Sequence, residues 1–281
     1  MLDQLTATSD WDFPIRKEPV HDERGAIIPG SFGIFREDTY ECMGVHGSSY
    51  KELTHTDAVT RVMEAMDNVE FSRDYDTKFE AVDGGRKLRA EIIFPNITGK
   101  NPAIGDITQF RISVLNSYDG SWAFESRTDA LCLWCLNGAV HSQTSSRNKM
   151  KHTLNANLNG ISAKIQLGLD AFWQQDSQWK EWLMIQVTDD MAETFFRSTL
   201  AKAYTPQKQV VKTNNKQLDR LLIQWREEVR LYGRNKWALY NAMTHWSTHT
   251  EDYSKQPSIT RKNNEDKLIN VLGSAKWLEL T

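Results

Sequence analysis

The stretch YDTKFEAVDGGRKLRAEIIF, residues 75–94, constrains the fold more than any other. Tyr75, Thr77, Phe79 and Ala81 alternate with Asp76, Lys78 and Glu80. Asp83-Gly84-Gly85 follows, and then Leu88, Ala90, Ile92 and Phe94 alternate with Arg89 and Glu91. A period of two puts the apolar set on one face of a strand. Asp-Gly between two such runs is the local signature of a β-hairpin. A second instance follows at once. Phe110, Ile112 and Val114 alternate with Arg111 and Ser113, Asp119-Gly120 turns the chain, and Trp122 and Phe124 return. Four antiparallel strands with one apolar face must bury that face against a cover. Helices are at hand: THTDAVTRVMEAM (54–66) carries Val59, Val62, Met63 and Met66 as one stripe, with Thr54 or Thr56 as its cap.

Either side of this core the pattern changes. Pro14, Pro19, Gly25, Pro29 and Gly30 break residues 1–35, which read as an irregular arm that reaches a neighbour. ALCLWCL (130–136) is a short apolar run, either a strand or a buried helix start. From Ile161 the spacing is helical, and KQLDRLLIQWREEVRLY (216–232) is amphipathic, with Leu218, Leu222, Trp225, Val229 and Tyr232 on one face. The expected fold is therefore α+β, an antiparallel hairpin sheet packed on helices with a helical C-terminal region. Its expected parts are an arm over 1–35, an α+β core over 36–165 and helices over 166–281.

No apolar run approaches the roughly 20 residues of a membrane span, and MLDQLTATSDWDF lacks the pattern of a signal peptide. With three cysteines, an odd count, the expected setting is the reducing cytoplasm. The net charge of −3 argues against a nucleic-acid binder, but its distribution does not. Residues 1–76 carry 7 basic and 16 acidic side chains, whereas 200–281 carry 14 basic and 8 acidic. Between 141 and 164 stand Arg147, Lys149, Lys151 and Lys164 without one acid.

Candidate chemistry follows from these residue types. Cys132 and Cys135, with His245 and His249, contain the donors of a zinc site. Their separation is far from any finger spacing, and residues three apart on a strand face opposite ways, so buried structural cysteines and no metal or cofactor are expected. His46 beside Ser48 and Ser49 reads as a turn, and the acidic pairs at 189–190 and 251–252 as caps or solvated loops. An enzyme, metal-dependent through His245 and His249, ranks third among the functions considered. Arg86, Lys87 and Arg89 at a hairpin turn, and Arg147, Lys149 and Lys151 in a polar segment, are placed to follow a phosphate backbone while aromatic rings stack on bases. Trp122, Phe124 and Trp134 read as core instead.

The run LWCLNGAVHS…RNKMKHTLN (133–156) resembles the signature of phage- and plasmid-related proteins of domain-of-unknown-function family 932, through Cys135, Asn137 and Gly138 and then Lys151, His152 and Thr153. GVHGSSYKELTHTDAVTRV (44–62) and SVLNSYDGSWAF (113–124) are similar to two further motifs of that family. Tyr118 stands where the family commonly has histidine. The resemblance implies a phage protein in the cytoplasm of an infected host. More remotely, the order of helix, two hairpins, basic segment and helices is similar to phage single-strand annealing recombinases of the RecT, Redβ and Erf kind. That likeness implies a homo-oligomer, ring or filament, holding single-stranded DNA in a basic groove without covalent catalysis. Arg86, Lys87, Arg89, Arg147, Lys149, Lys151 and His152 would then form the nucleic-acid site, with Asn137 and Asn155 bonding either DNA or their own loop. The alternative is a phage protein that binds a host protein, its acidic N-terminal third mimicking DNA.

Overall fold

A computed structural model describes residues 10–69, 73–100, 107–132, 138–140, 147–150, 152, 158–204, 211–251 and 253–280. The chain divides into two compact units, one of residues 1–94, 111–128 and 145–168, the other of 95–110, 129–144 and 169–281.

The first unit opens with three antiparallel strands in the order β1-β2-β3: β1 (Ile15–His21), β2 (Ile27–Arg36) and β3 (Cys42–Gly47). The irregular arm expected over 1–35 includes these first two strands except Arg36. Its residues form strands because their prolines and glycines sit where the ladder is already interrupted. Pro19 lies at a bulge of edge strand β1, where a missing N–H costs little, and Pro29 lies beyond the β2–β3 pairing that begins at Ser31. Phe13, Ile34, Met43, Tyr50 and Tyr118 make a buried cluster beneath this sheet.

Helix α1 (His55–Asp67) follows, and the Thr54 side chain accepts from the Asp57 N–H as its cap. Ala58, Val59, Val62 and Ala65 are its buried stripe. Strands β4 (Asp76–Val82) and β5 (Lys87–Lys100) pair in register from Asp76↔Ile93 to Val82↔Lys87. Asp83, Gly84 and Gly85 turn the chain at φ 57°, 66° and 83°, a left-handed path that glycine follows without strain. β6 (Ile107–Ser117) and β7 (Phe124–Cys132) complete the expected second hairpin. The sheet runs β4-β5-β6-β7-β8, with β8 (Gly138–Val140) opposite Asp129–Leu131 and β9 (Arg147–Met150) opposite Phe124–Arg127 of β7.

The second unit is largely helical. α2 (Leu158–Met184) begins in the first unit and continues into the second. α3 (Asp189–Ser198) is capped by Thr188 with Asp189 and Asp190 in its first turn. A short pair β10 (Lys202–Tyr204) and β11 (Val211–Thr213) precedes α4 (Asn215–Tyr232), α5 (Lys236–Thr248), α6 (Pro257–Leu272) and α7 (Ala275–Leu278). The abundant tryptophan is core here: Trp182 meets Trp277 edge-on at 5.1 Å, and Trp237 stacks on Tyr240 at 5.4 Å. No described helix is long and apolar enough to cross a membrane.

Candidate functional site

The motif segments that lie far apart in sequence meet in the first unit. Gly44 and His46 end β3, Tyr50 and His55 lead into α1, Asn116 to Asp119 close β6, and His152 follows β9. The His46 ring stacks on Tyr50 with centroids 3.7 Å apart and planes at 5°, and Tyr50 in turn lies 5.2 Å from His152. His46 Nε2 donates to the Tyr118 carbonyl at 2.6 Å, and the Tyr50 hydroxyl donates to the Ser117 carbonyl at 3.3 Å. The Lys51 N–H donates to the His152 carbonyl, and His152 Nε2 donates to the Trp122 carbonyl. Gly44 allows this approach: a Cβ there would lie 2.6 Å from the Tyr118 carbonyl oxygen and 2.9 Å from Asp119 Cα.

Beneath the stack, His55 is fully buried. Its Nε2 donates to the Gly85 carbonyl at 2.9 Å, and its Nδ1 accepts from the Asn116 amide at 3.0 Å. That amide also donates to the Leu53 carbonyl, while the Tyr118 hydroxyl accepts from the His55 N–H. Burial holds His55 down to about 4, despite its bond to Gly85. Burial likewise lowers His152 and raises the Tyr50 and Tyr118 hydroxyls, so none of the four is readily ionised. His55 and Asn116 therefore act as a neutral brace between α1, the β4–β5 turn and β6. His46, half-buried, is the end of the ring stack nearest solvent.

The expected phosphate contacts separate into distinct environments. Lys87 is only 5% exposed and sits between Asp83 at 2.8 Å and Asp119 at 2.6 Å. Burial alone would lower the ammonium, but the two carboxylates outweigh it and raise it. Asp119 is lowered in return: burial opposes ionisation, and Lys87 and Ser121 more than compensate. Arg89, 2% exposed, pairs with Glu91, which Arg111 also meets at 2.9 Å. Arg86 is half-buried and reaches Glu41 at 2.7 Å. Lys87 and Arg89, expected to contact phosphates, are thus interior ion pairs rather than exposed cations. The physical reason is that β5, β6 and β7 bury their polar positions as well as their apolar ones, and Arg127 with Glu125 repeats the arrangement. Lys149 is exposed on β9 opposite Glu125, and Arg147 stands opposite Arg127 in the same register. Lys151, Cys135, Trp134, Asn137 and Asn155 lie outside the described residues, and His152 is buried in the stack rather than open.

His245 and His249 stack on each other at 4.1 Å along α5. Among the described residues no group of three or more metal-donor side chains converges. Ser48 and Ser49 form the turn after β3. Sequence reasoning missed His46, Tyr50, Tyr118 and Asn116 as one site. The available signal was that all four stand in the short motifs around 44–50 and 113–124.

A family model described as "Domain of unknown function (DUF932)" matches residues 43–275. No curated protein and no solved structure matches the chain.

Proposed function

The chain belongs to the DUF932 family, and from that premise we propose that it binds single-stranded DNA and promotes strand pairing without a covalent step. One observation carries the reading. Strand β9, within the acid-free segment, carries Arg147 and Lys149, and two residues beyond it His152 lies against Tyr50, on which His46 stacks. Cationic side chains beside a stack of rings are what a single strand requires. The cations neutralise phosphates, and a ring offers a face to any base, worth roughly 1–3 kcal/mol per stacked base. In this reading Arg147, Lys149 and Lys151 follow the backbone, and His46 is the ring that meets a base. Homo-oligomerisation belongs to the same proposal, since strand pairing needs several subunits on one strand.

The test compares single- and double-stranded oligonucleotides by fluorescence anisotropy over a salt series. Replacing Arg147, Lys149 and Lys151 together by alanine should reduce the salt slope by about 2, since each phosphate contact on a single strand contributes about 0.7. A folded triple variant with unchanged affinity and slope would reduce the segment to a solvated loop. Wild type that ignores single strands at low salt would overturn the DNA reading in favour of a host-protein partner. The exposed acids Asp22, Glu23, Glu37 and Asp38 around the N-terminal sheet suit that second reading.

A further inference from the structure

The distal half of the β1–β2 hairpin stands clear of the N-terminal sheet's buried cluster. All ten residues from His21 to Gly30 are exposed. Ile27 and Ile28 are 59% and 41% exposed, and as strand neighbours they point to opposite faces. Both faces of the ribbon are therefore open to water over roughly 15 Å, taking about 3.3 Å per residue for a run that doubles back on itself. The tip is nonetheless well built. The Asp22 carboxylate accepts from the Arg24 and Ala26 N–H groups. A two-stranded ribbon with no packed face is marginal in water, and this one carries two exposed isoleucines. At the tip, Glu23 and Arg24 stand side by side.

The second unit has a groove of matching character. A cleft of about 570 Å³ lies between α3 and α4, with Leu222, Trp225 and Val229 as its apolar floor. Arg226 and Arg230 form its basic wall, and Asp189 and Asp190 its acidic one. The floor is held in place because Trp225 Nε1 donates to Asp189 at 3.0 Å and Arg234 grips the same carboxylate. The outer face of α4 adds Ile223 and Leu231, 57% and 65% exposed.

We propose that the β1–β2 hairpin is a docking arm that seats in the α3–α4 groove of a second copy of this chain. Ile27, the more exposed of the two isoleucines, covers the apolar floor, Glu23 meets Arg226 and Arg230, and Arg24 meets the acidic wall. Arm and groove are different surfaces of one sequence, so the contact either reciprocates in a dimer or propagates from copy to copy. The complementarity is both apolar and electrostatic, and the charged part also fixes which copy faces which way.

Light scattering on the full chain tests this, at rising concentration and low salt. Wild type should exceed the 32.4 kDa of one chain. Glu23→Arg with Ile27→Ser should remain at the mass of one chain, and so should Arg226→Glu with Arg230→Glu, with circular dichroism and melting showing both folded. The decisive measurement mixes Glu23→Arg alone with the doubly substituted groove variant. Mixing should restore association, because the reversed arm meets the reversed groove while the native arm of one meets the native groove of the other. Wild type that stays a monomer, variants that associate like wild type, or a mixture that stays monomeric would each overturn the proposal. Oligonucleotide binding by the monomeric variants is read separately. A monomer that still binds single strands leaves the DNA reading standing, and an assembly that binds none removes that reading alone.

Discussion

His46 and Tyr50 lie ring on ring, 3.7 Å apart and 5° from parallel, with the end of β3 and the Ser48–Ser49 turn between them. The stack is pinned at both ends, His46 to the Tyr118 carbonyl and Tyr50 to that of Ser117. The half-buried His46 ring is its face nearest solvent, and Gly44 and Gly120 pass close to that ring, where a Cβ on either would lie 3.0 Å from it.

If that face meets a base, His46→Ala should weaken single-strand binding by about fivefold, the lower end of the range for one stacked base. The salt slope should stay at the wild-type value because no phosphate contact is lost. His46→Phe should recover most of the affinity. Equal affinity in the alanine variant would remove His46 from the interface, whatever the basic strand does.

Acid should destabilise the fold through His55. Its folded value is about 4 against an ordinary 6.5. Above pH 6.5 neither state holds the proton, so His55 makes no difference. As pH falls below 6.5 the unfolded chain takes up a proton that the folded chain refuses, and stability declines until about pH 4, by about 3 kcal/mol. His152, also lowered, acts in the same direction. Urea midpoints measured across this window should fall steadily in wild type and less in His55→Gln, which starts from a lower stability at neutral pH. A variant slope equal to that of wild type would assign the acid sensitivity to other groups.

Gly44→Ala should be costly although β3 is an edge strand. The new Cβ meets backbone, the Tyr118 carbonyl and Asp119 Cα, and backbone cannot swing aside as a side chain can. A loss of about 2 kcal/mol is expected, in the range of overpacked sites. A melting temperature within error of wild type would mean that β3 and the β6–β7 turn separate without cost.

Glu91→Gln tests the buried charges. Arg89 and Arg111 both reach this carboxylate with 2% or less of their surface exposed. Removing the negative charge takes this carboxylate from two interior guanidiniums, and breaking a buried pair costs about 3–5 kcal/mol. Chemical denaturation of the variant gives the value directly. A neutral result would show that other groups around the two arginines carry the balance.

The two hairpins were legible because each is specified within about twenty residues. Alternation selects the strand, and Asp83-Gly84-Gly85 or Asp119-Gly120 selects the turn. The same holds for α1 with its Thr54 cap and for the stripe of α4. The N-terminal sheet was hidden by its own prolines, which read as breakers and prove to occupy a bulge and an unpaired stretch.

Alternation marks which side of a strand is apolar, but it does not say whether the polar side stays in water. For β5 it does not: Lys87 finds Asp119 thirty-two positions along the chain, and Arg89 closes on Glu91 in the interior. A surface cation and a buried ion pair look the same in sequence, because the difference lies in a partner that only folding delivers. The site was hidden for the same reason. His46, Tyr50, Tyr118 and His152 come from separate segments, and only the closing of β3 and the residues after β9 onto the end of β6 brings their rings and carbonyls within reach. The sequence by itself determined the local elements, whose energies are set by near neighbours. The tertiary structure alone decided which charges are spent inside and which rings meet, since those energies depend on contacts between residues that the chain holds far apart.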